Sequence, residues 1–372
     1  MQNQTHEELR YFIALALAPK VGPGVFKAIL AYSGSPTAFF QIPKGKAAKI
    51  PKVGPKLLEI RSAEQSLLRQ ADELLNSSQK SNFEILTSLD PSFPQRLKSL
   101  EDGPVLIFKK GNAELNLERT VGIVGTRNAT TYGKASTQKI VVDLAQYQPA
   151  IISGLAYGID IEAHRSAIQA GLPTIAVMGS PIDQIYPAVH RKTAELLQEN
   201  GALISEYAPG SKMMPGNFPA RNRIIAGLSD ALIVVEAAEK GGALITAEIA
   251  YSYNKEVFAV PGNLQSTYSE GCNQLIKKMK ASIYTGPNDI SEALFWTKPG
   301  ETKAKKTEVD LSGREEMEKA ILLYLKEKGE SEIDLISYST EIPLGLLSSK
   351  LLSLEFEGII KSLPGKKYKL LV

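Results

Sequence analysis

The chain has 372 residues, room for two or three domains, and its 43% hydrophobic and 22% charged residues are the balance of an ordinary globular protein. A single cysteine, Cys272, excludes an intramolecular disulfide, and three histidines (His6, His164, His190) lie without the spacing of a structural zinc site. A formal net charge of +3 does not announce a nucleic-acid partner, so a cationic surface has to be gathered on one face.

No apolar run reaches the length of a membrane span. The opening residues, Met1-Gln-Asn-Gln-Thr-His-Glu-Glu, have neither the basic nor the apolar region of a secretion signal. A cytoplasmic protein without a membrane partner is the expectation. Residues 1–78 read as short helices. Within them Pro-Lys-Val-Gly-Pro occurs at 19–23 and again at 51–55, each copy between apolar segments. A helix, a tight glycine turn and a second helix make a hairpin, with the glycine in a backbone conformation other residues resist. The pair is similar to helix-hairpin-helix (SAM-like) domains, whose turn amides approach phosphates. A small helical domain with packing turns is the plainer reading, since Pro23 and Pro55 each remove an amide.

Residues 79–298 alternate strand and helix. Apolar runs of strand length stand at 121–124, 150–152, 174–178, 202–205, 231–235 and 257–260, and two more at 84–87 and 105–109 extend one edge. Helical patterns fill the intervals: 133–147, 159–170, 188–200, 220–228, 244–254 and 273–280. Near-continuous apolar strands separated by helices predict an α/β, Rossmann-like, doubly wound and mostly parallel sheet. Residues 299–311, with Lys303, Lys305 and Lys306, have the composition of a linker. Residues 312–372 predict three helices and a strand–turn–strand around Pro364-Gly365, a winged helix. Its third helix carries Lys350 but also Glu355 and Glu357, which phosphates repel, so a protein-contact or stabilising role is favoured over duplex reading.

Chemistry is expected where ligands bind such sheets, beyond the carboxyl ends of the strands. The first central strand ends Gly122-Ile-Val-Gly-Thr-Arg127. Gly125 admits a close backbone approach, Thr126 offers a hydroxyl and Arg127 can grip a phosphate in two places. The glycines are not spaced as G-x-G-x-x-G, so a dinucleotide cofactor loses its support and none is expected. Ser153-Gly154 ends the next strand, with Asp160 a candidate N-cap of the following helix. Asp160 and His164, four residues apart, form an acid–base pair in one reading and loop braces in the preferred one, because no nucleophile accompanies them. Asn217-Phe-Pro-Ala-Arg-Asn-Arg223 supplies Phe218 as a flat surface for a base, Arg221 and Arg223 as charge for a phosphate backbone, and Asn222 between them. Alternatively Phe218 is a hydrophobic staple and one arginine partners Asp230. Lys240-Gly241-Gly242 leads into a helix, leaving free amides beside a lysine.

Taken together, G-T-R, S-G-L-A-Y-G-I-D-I-E-A-H, F-P-A-R-N-R-I-I, E-A-A-E-K-G-G-A-L-I-T-A, V-P-G-N and S-E-G-C-N-Q-L-I, in this order over about residues 90–285, resemble the DprA (DNA processing, Smf) family. So do Asp90-Pro-Ser-Phe-Pro-Gln-Arg-Leu and Gly103-Pro-Val-Leu-Ile-Phe. The resemblance implies a Rossmann-like pocket that binds single-stranded DNA without cutting it, protects strands in natural transformation and helps load RecA. It implies a homodimer through the far part of this domain. By position, Arg127 takes a phosphate, Arg221 and Arg223 line the pocket, Phe218 meets a base, and Lys212 matches a basic position only loosely. Three positions depart from the family's pattern: Thr126 and Gly242 stand where serine is frequent, and Tyr157 where a basic residue is frequent. The main alternative is a nucleotide phosphoribohydrolase with P-G-G-x-G-T-x-x-E, against which Thr246 and Glu248 are misplaced. A nucleotide-sensing module acting through the winged helix is a third.

Overall fold

A computed structural model of the chain describes residues 5–299, 311, 313–363 and 366–371. The chain divides into two compact units, Met1–Trp296 and Thr297–Val372.

The first unit is built on nine strands: β1 (Glu84–Thr87), β2 (Leu106–Lys110), β3 (Thr120–Val124), β4 (Ala150–Ser153), β5 (Thr174–Met178), β6 (Ala202–Ser205), β7 (Ala231–Val234), β8 (Glu256–Ala259) and β9 (Ser282–Ile283). Their order is β1-β2-β6-β5-β4-β3-β7-β8-β9. Strands β3 to β9 run parallel; β2 joins β6 antiparallel and β1 joins β2 antiparallel. The expected doubly wound α/β sheet is therefore present, with one short strand, β9, that the pattern did not signal. Every residue of β3, β4, β5, β6 and β7 is buried. Helices cover both faces, which is why these runs show no polar alternation.

From β3 the chain steps through β4 and β5 to β6 in one direction, then returns to the other side of β3 for β7 and β8. The winding reverses between β3 and β7, whose residues pair from Val121 with Ala231 to Val124 with Val234. A crevice opens at such a switch point because the flanking loops diverge to opposite faces.

The N-terminal helices belong to this same unit. Phe12, Phe26 and Phe39 are fully buried in an apolar cluster that continues to Phe108 of β2 and Leu203 of β6. Each such side chain contributes about 1.5–3 kcal/mol by leaving water. Arg10 joins the first helix, His6–Leu17, to the last, Glu64–Ser81, through a two-pronged pair with Asp72 (2.5 and 2.7 Å). The two pentapeptides share one backbone. Lys20 and Lys52 take φ of 66° and 67°, while Gly22 and Gly54 are extended at −82° and −87°. This corrects the expectation for the turn: the lysine adopts the left-handed conformation, and the glycine is the N-cap. Pro23 and Pro55 then occupy the first helical position, where a missing N–H costs nothing.

The second unit has helices Glu316–Lys328, Ile333–Thr340 and Leu344–Phe356 and an antiparallel sheet of β10 (Ser331–Glu332), β11 (Ile360–Leu363) and β12 (Lys367–Leu370), ordered β10-β12-β11. Ile321, Leu325, Ile336, Leu347, Leu351 and Ile360 form its core. The predicted turn at Pro364-Gly365 and the interior of the predicted linker, 300–310, lie outside the described residues.

Candidate nucleic-acid interface

A cavity of about 760 Å³ occupies the switch-point crevice. One wall is the loop after β3, Gly125 to Arg127; the other is the loop after β7, Ala237 to Gly242. Phe218, Arg221 and Asn222 enter from the helix Asn217–Leu228, and Ala156 and Asp160 from the segment after β4. Of the residues expected to form the site, the fold brings Gly125, Thr126, Arg127, Phe218, Arg221, Asn222, Lys240, Gly241 and Gly242 to this cavity. Ser153, Gly154, Lys212 and Arg223 do not line it.

The reason for the split at 221 and 223 is helical geometry. The helix was expected from Ala220 but begins at Asn217, so the whole motif is helical. Residues two apart on a helix face nearly opposite ways. Arg221 turns inward, only 4% exposed, and its Nη1 donates to the carbonyls of Gly154 (2.6 Å) and Val177. Burial lowers its pKa to about 10. Asp160, 7% exposed, faces it from the helix Ile159–Gln169, and burial pushes that carboxyl up against the counteracting charge of Arg221. Arg223 instead gives Nη2 to both carboxylate oxygens of Glu206 (2.7 and 2.6 Å). Asp230, the alternative partner for these arginines, is held by Arg96 at 2.8 and 2.9 Å.

Other expected site residues act as braces. Ser153 is buried and donates to the Ile123 carbonyl at 2.6 Å. Asn222 donates to the carbonyl of Gly242 at 3.3 Å, fixing the start of the helix Gly242–Ser252. The N-cap of the helix Ile159–Gln169 is Gly158 and not Asp160, which corrects the capping expectation. Gly158 sits at φ 78°, and a Cβ there would lie 2.1 Å from the Thr126 carbonyl, so the close passage of these loops requires glycine. His164 is fully buried with Nδ1 2.7 Å from Thr174 Oγ1, and it does not line the cavity.

Three cations (Arg127, Arg221, Lys240) and three carboxylates (Asp160, Glu239, Glu248) line the crevice. Glu248 is bound by Lys280 at 2.6 and 2.8 Å, and Asp160 stands opposite Arg221 on the floor. Among the described residues, Arg127 and Lys240 make no ion pair; both are exposed. The helix Gly242–Ser252 follows Gly241 with no side-chain cap, so its first amides are open. Phe218 is half-buried at the rim, its ring 5.3 Å from that of Tyr186.

Known proteins share this fold. The family model for DNA recombination-mediator protein A matches residues 84–295. Protein Smf of Synechocystis sp. is 32% identical over 98% of this chain and 99% of its own. The chain belongs to the DNA recombination-mediator protein A family. Its fold superposes on the X-ray structure of DNA processing protein A from Streptococcus pneumoniae with a TM-score of 0.66 at 32% identity, covering 78% of this chain and 98% of that one. The DNA processing protein A of Helicobacter pylori, described for its single-stranded DNA binding mode, matches with a TM-score of 0.52 at 31% identity, covering 57% and 95%.

Within this member of the family, sequence reasoning missed three contributors. Glu206 neutralises Arg223, Tyr186 sets its ring against that of Phe218, and Glu236 braces the Arg127 loop. Only Glu236 left a signal, as the acid that follows β7 and opens the E-A-A-E-K-G-G motif. No helix among the described residues is long and apolar enough to cross a membrane.

Proposed function

We propose that this recombination mediator binds single-stranded DNA in the switch-point crevice, does not cleave it, and hands it to a RecA-type recombinase in the cytoplasm during recombination and natural transformation. The observation that carries the reading is a conjunction in one cleft. Arg127 and Lys240, without ion pairs among the described residues, meet an uncapped helix N-terminus and an aromatic rim at Phe218. Cations and amides suit the phosphates of a strand; the ring suits a base turned inward, which a duplex does not offer. The described binding mode of the H. pylori relative supports the same ligand. Binding without cleavage is supported by the fate of the one acid–base pair in the motifs: His164 is engaged with Thr174, and Asp160 is confined to the floor beside Arg221. Action as a homodimer and contact with RecA follow from the family resemblance and complete the proposal.

The test is a salt titration of fluorescence anisotropy on labelled oligo-dT, with unlabelled duplex as competitor. Salt-sensitive binding that duplex fails to displace supports the reading, with each phosphate contact contributing about 0.7 to the slope of log affinity against log salt. Equal displacement by duplex, or no binding, overturns it. Release of free base from nucleoside monophosphates would instead favour phosphoribohydrolase chemistry.

A further inference from the structure

The helix Thr131–Leu144 is the first after β3, and its N-terminus lies at the switch point. In a dinucleotide-binding sheet that N-terminus receives a pyrophosphate, because open amides and the helix dipole favour negative charge. Here the chain supplies the negative charge itself. Glu236, 2% exposed, comes from just beyond β7 and accepts from the Thr130 amide (2.9 Å) and the Thr130 hydroxyl (2.5 Å). The same hydroxyl accepts from the Gly133 amide at 3.1 Å, capping the helix. The carboxylate lies so close to the first turn that a Cβ on Gly133 would come within 2.0 Å of Glu236 Oε2. Only glycine leaves room for it.

Glu236 also holds the other end of the same loop. Its backbone carbonyl accepts from the Thr126 amide at 2.7 Å. One residue thus grips both ends of the segment 126–130, and Arg127 is carried on that segment with an exposed side chain and no ion pair of its own among the described residues.

We propose that Glu236 is the positioning residue for Arg127: by clamping both ends of the 126–130 loop and filling the N-terminus of the helix Thr131–Leu144, it replaces an anion contact on the amides of that helix with one on the Arg127 guanidinium. This role rests on the strand-binding reading of the crevice. It explains why a sheet of this winding can favour an extended polyanion, gripped by a side chain at the rim, over a compact nucleotide seated on the helix.

Thr130 offers the cleanest perturbation because it touches Glu236 without lining the cavity. Oligo-dT salt titrations are run on wild type, Thr130→Val, Thr130→Ser, Arg127→Ala and the double variant Thr130→Val/Arg127→Ala. Loss of the charge-assisted bond in Thr130→Val is expected to weaken binding about tenfold and to flatten the salt slope by about 0.7, as Arg127→Ala does. Thr130→Ser keeps the hydroxyl and should retain the wild-type slope. In the Arg127→Ala background Thr130→Val should add less than about twofold, the mark of two residues acting through one contact. If Thr130→Val does not fold, Glu236→Gln takes its place in the same cycle, with hydrogen exchange of residues 126–130 expected to quicken. Equal losses in both backgrounds, or a slope that does not change, would overturn the role of Glu236 while leaving the crevice as the binding site. Absence of oligo-dT binding by the wild-type chain would overturn the site reading itself, and with it this proposal.

Discussion

The crevice of the first unit and the third helix of the second unit both carry cations that a strand of DNA could use, and they treat them in opposite ways. In the crevice, Arg127 and Lys240 stand exposed without ion pairs among the described residues. On the helix Leu344–Phe356, Lys350 is held by Glu315 at 2.6 Å and Glu318 at 3.3 Å, and Glu355 accepts from the Ser362 amide at 2.9 Å. A cation already neutralised by its own fold has little left for a phosphate. Engagement of this kind also occurs beside the crevice itself, where Arg223 is spent on Glu206 and Arg221 on backbone carbonyls. Charge on a motif locates a binding site only once its partners are known.

The largest expected effect tests the structural side of that contrast. Arg221→Ala leaves the carbonyls of Gly154 and Val177 without their donor and Asp160 without its facing charge. Removal of one member of such a buried set typically costs about 3–5 kcal/mol. Urea denaturation should show it, and a small stability loss joined to a flattened salt slope would return Arg221 to the phosphate-binding set. Next in size, Phe218→Ala should weaken oligo-dT binding by about 1–3 kcal/mol per stacked base while leaving the salt slope alone. A reduced slope would contradict a stacking role.

Acid should expose the cost of a buried group that the crevice does not use. Burial holds His164 neutral, with its pKa lowered to about 3 from the ordinary 6.5. Between those values the unfolded chain binds a proton that the folded chain refuses, so stability falls as pH drops below 6.5, by up to about 1.4 kcal/mol per pH unit, and is unaffected by this group above it. Asp160, whose pKa is raised by burial, acts in the opposite sense at low pH. His164→Asn should flatten the acid limb of stability against pH, and an unaltered limb would exclude His164 as its source. The smallest effect belongs to the second unit: Lys350→Ala should leave oligo-dT affinity and its salt dependence unchanged, and a flattened slope would make that helix part of the DNA surface.

Most of the architecture was legible in the order of residues. The buried strands β3 to β7 announced themselves as short, predominantly apolar runs, because burial on both faces leaves no polar alternation. The motifs were legible as residues that end strands or open helices, and nine of the thirteen expected site residues do meet at one cavity. The turn at Lys20 and Lys52 was misassigned to glycine because composition marks where a chain turns but not which residue takes the left-handed conformation. Strand β9, two residues long, is too short to carry a period.

By itself, the sequence determined what local chemistry determines: strand and helix positions, the loops that would carry ligands, and the family to which their order belongs. Which of those side chains remain free was decided only in three dimensions. Arg223 meets a carboxylate 17 residues away, Glu248 a lysine 32 away, and Glu236 a threonine 106 away. Such pairings depend on strand order and on the direction each helix turns its faces, and neither is encoded in the local periodicity of the chain.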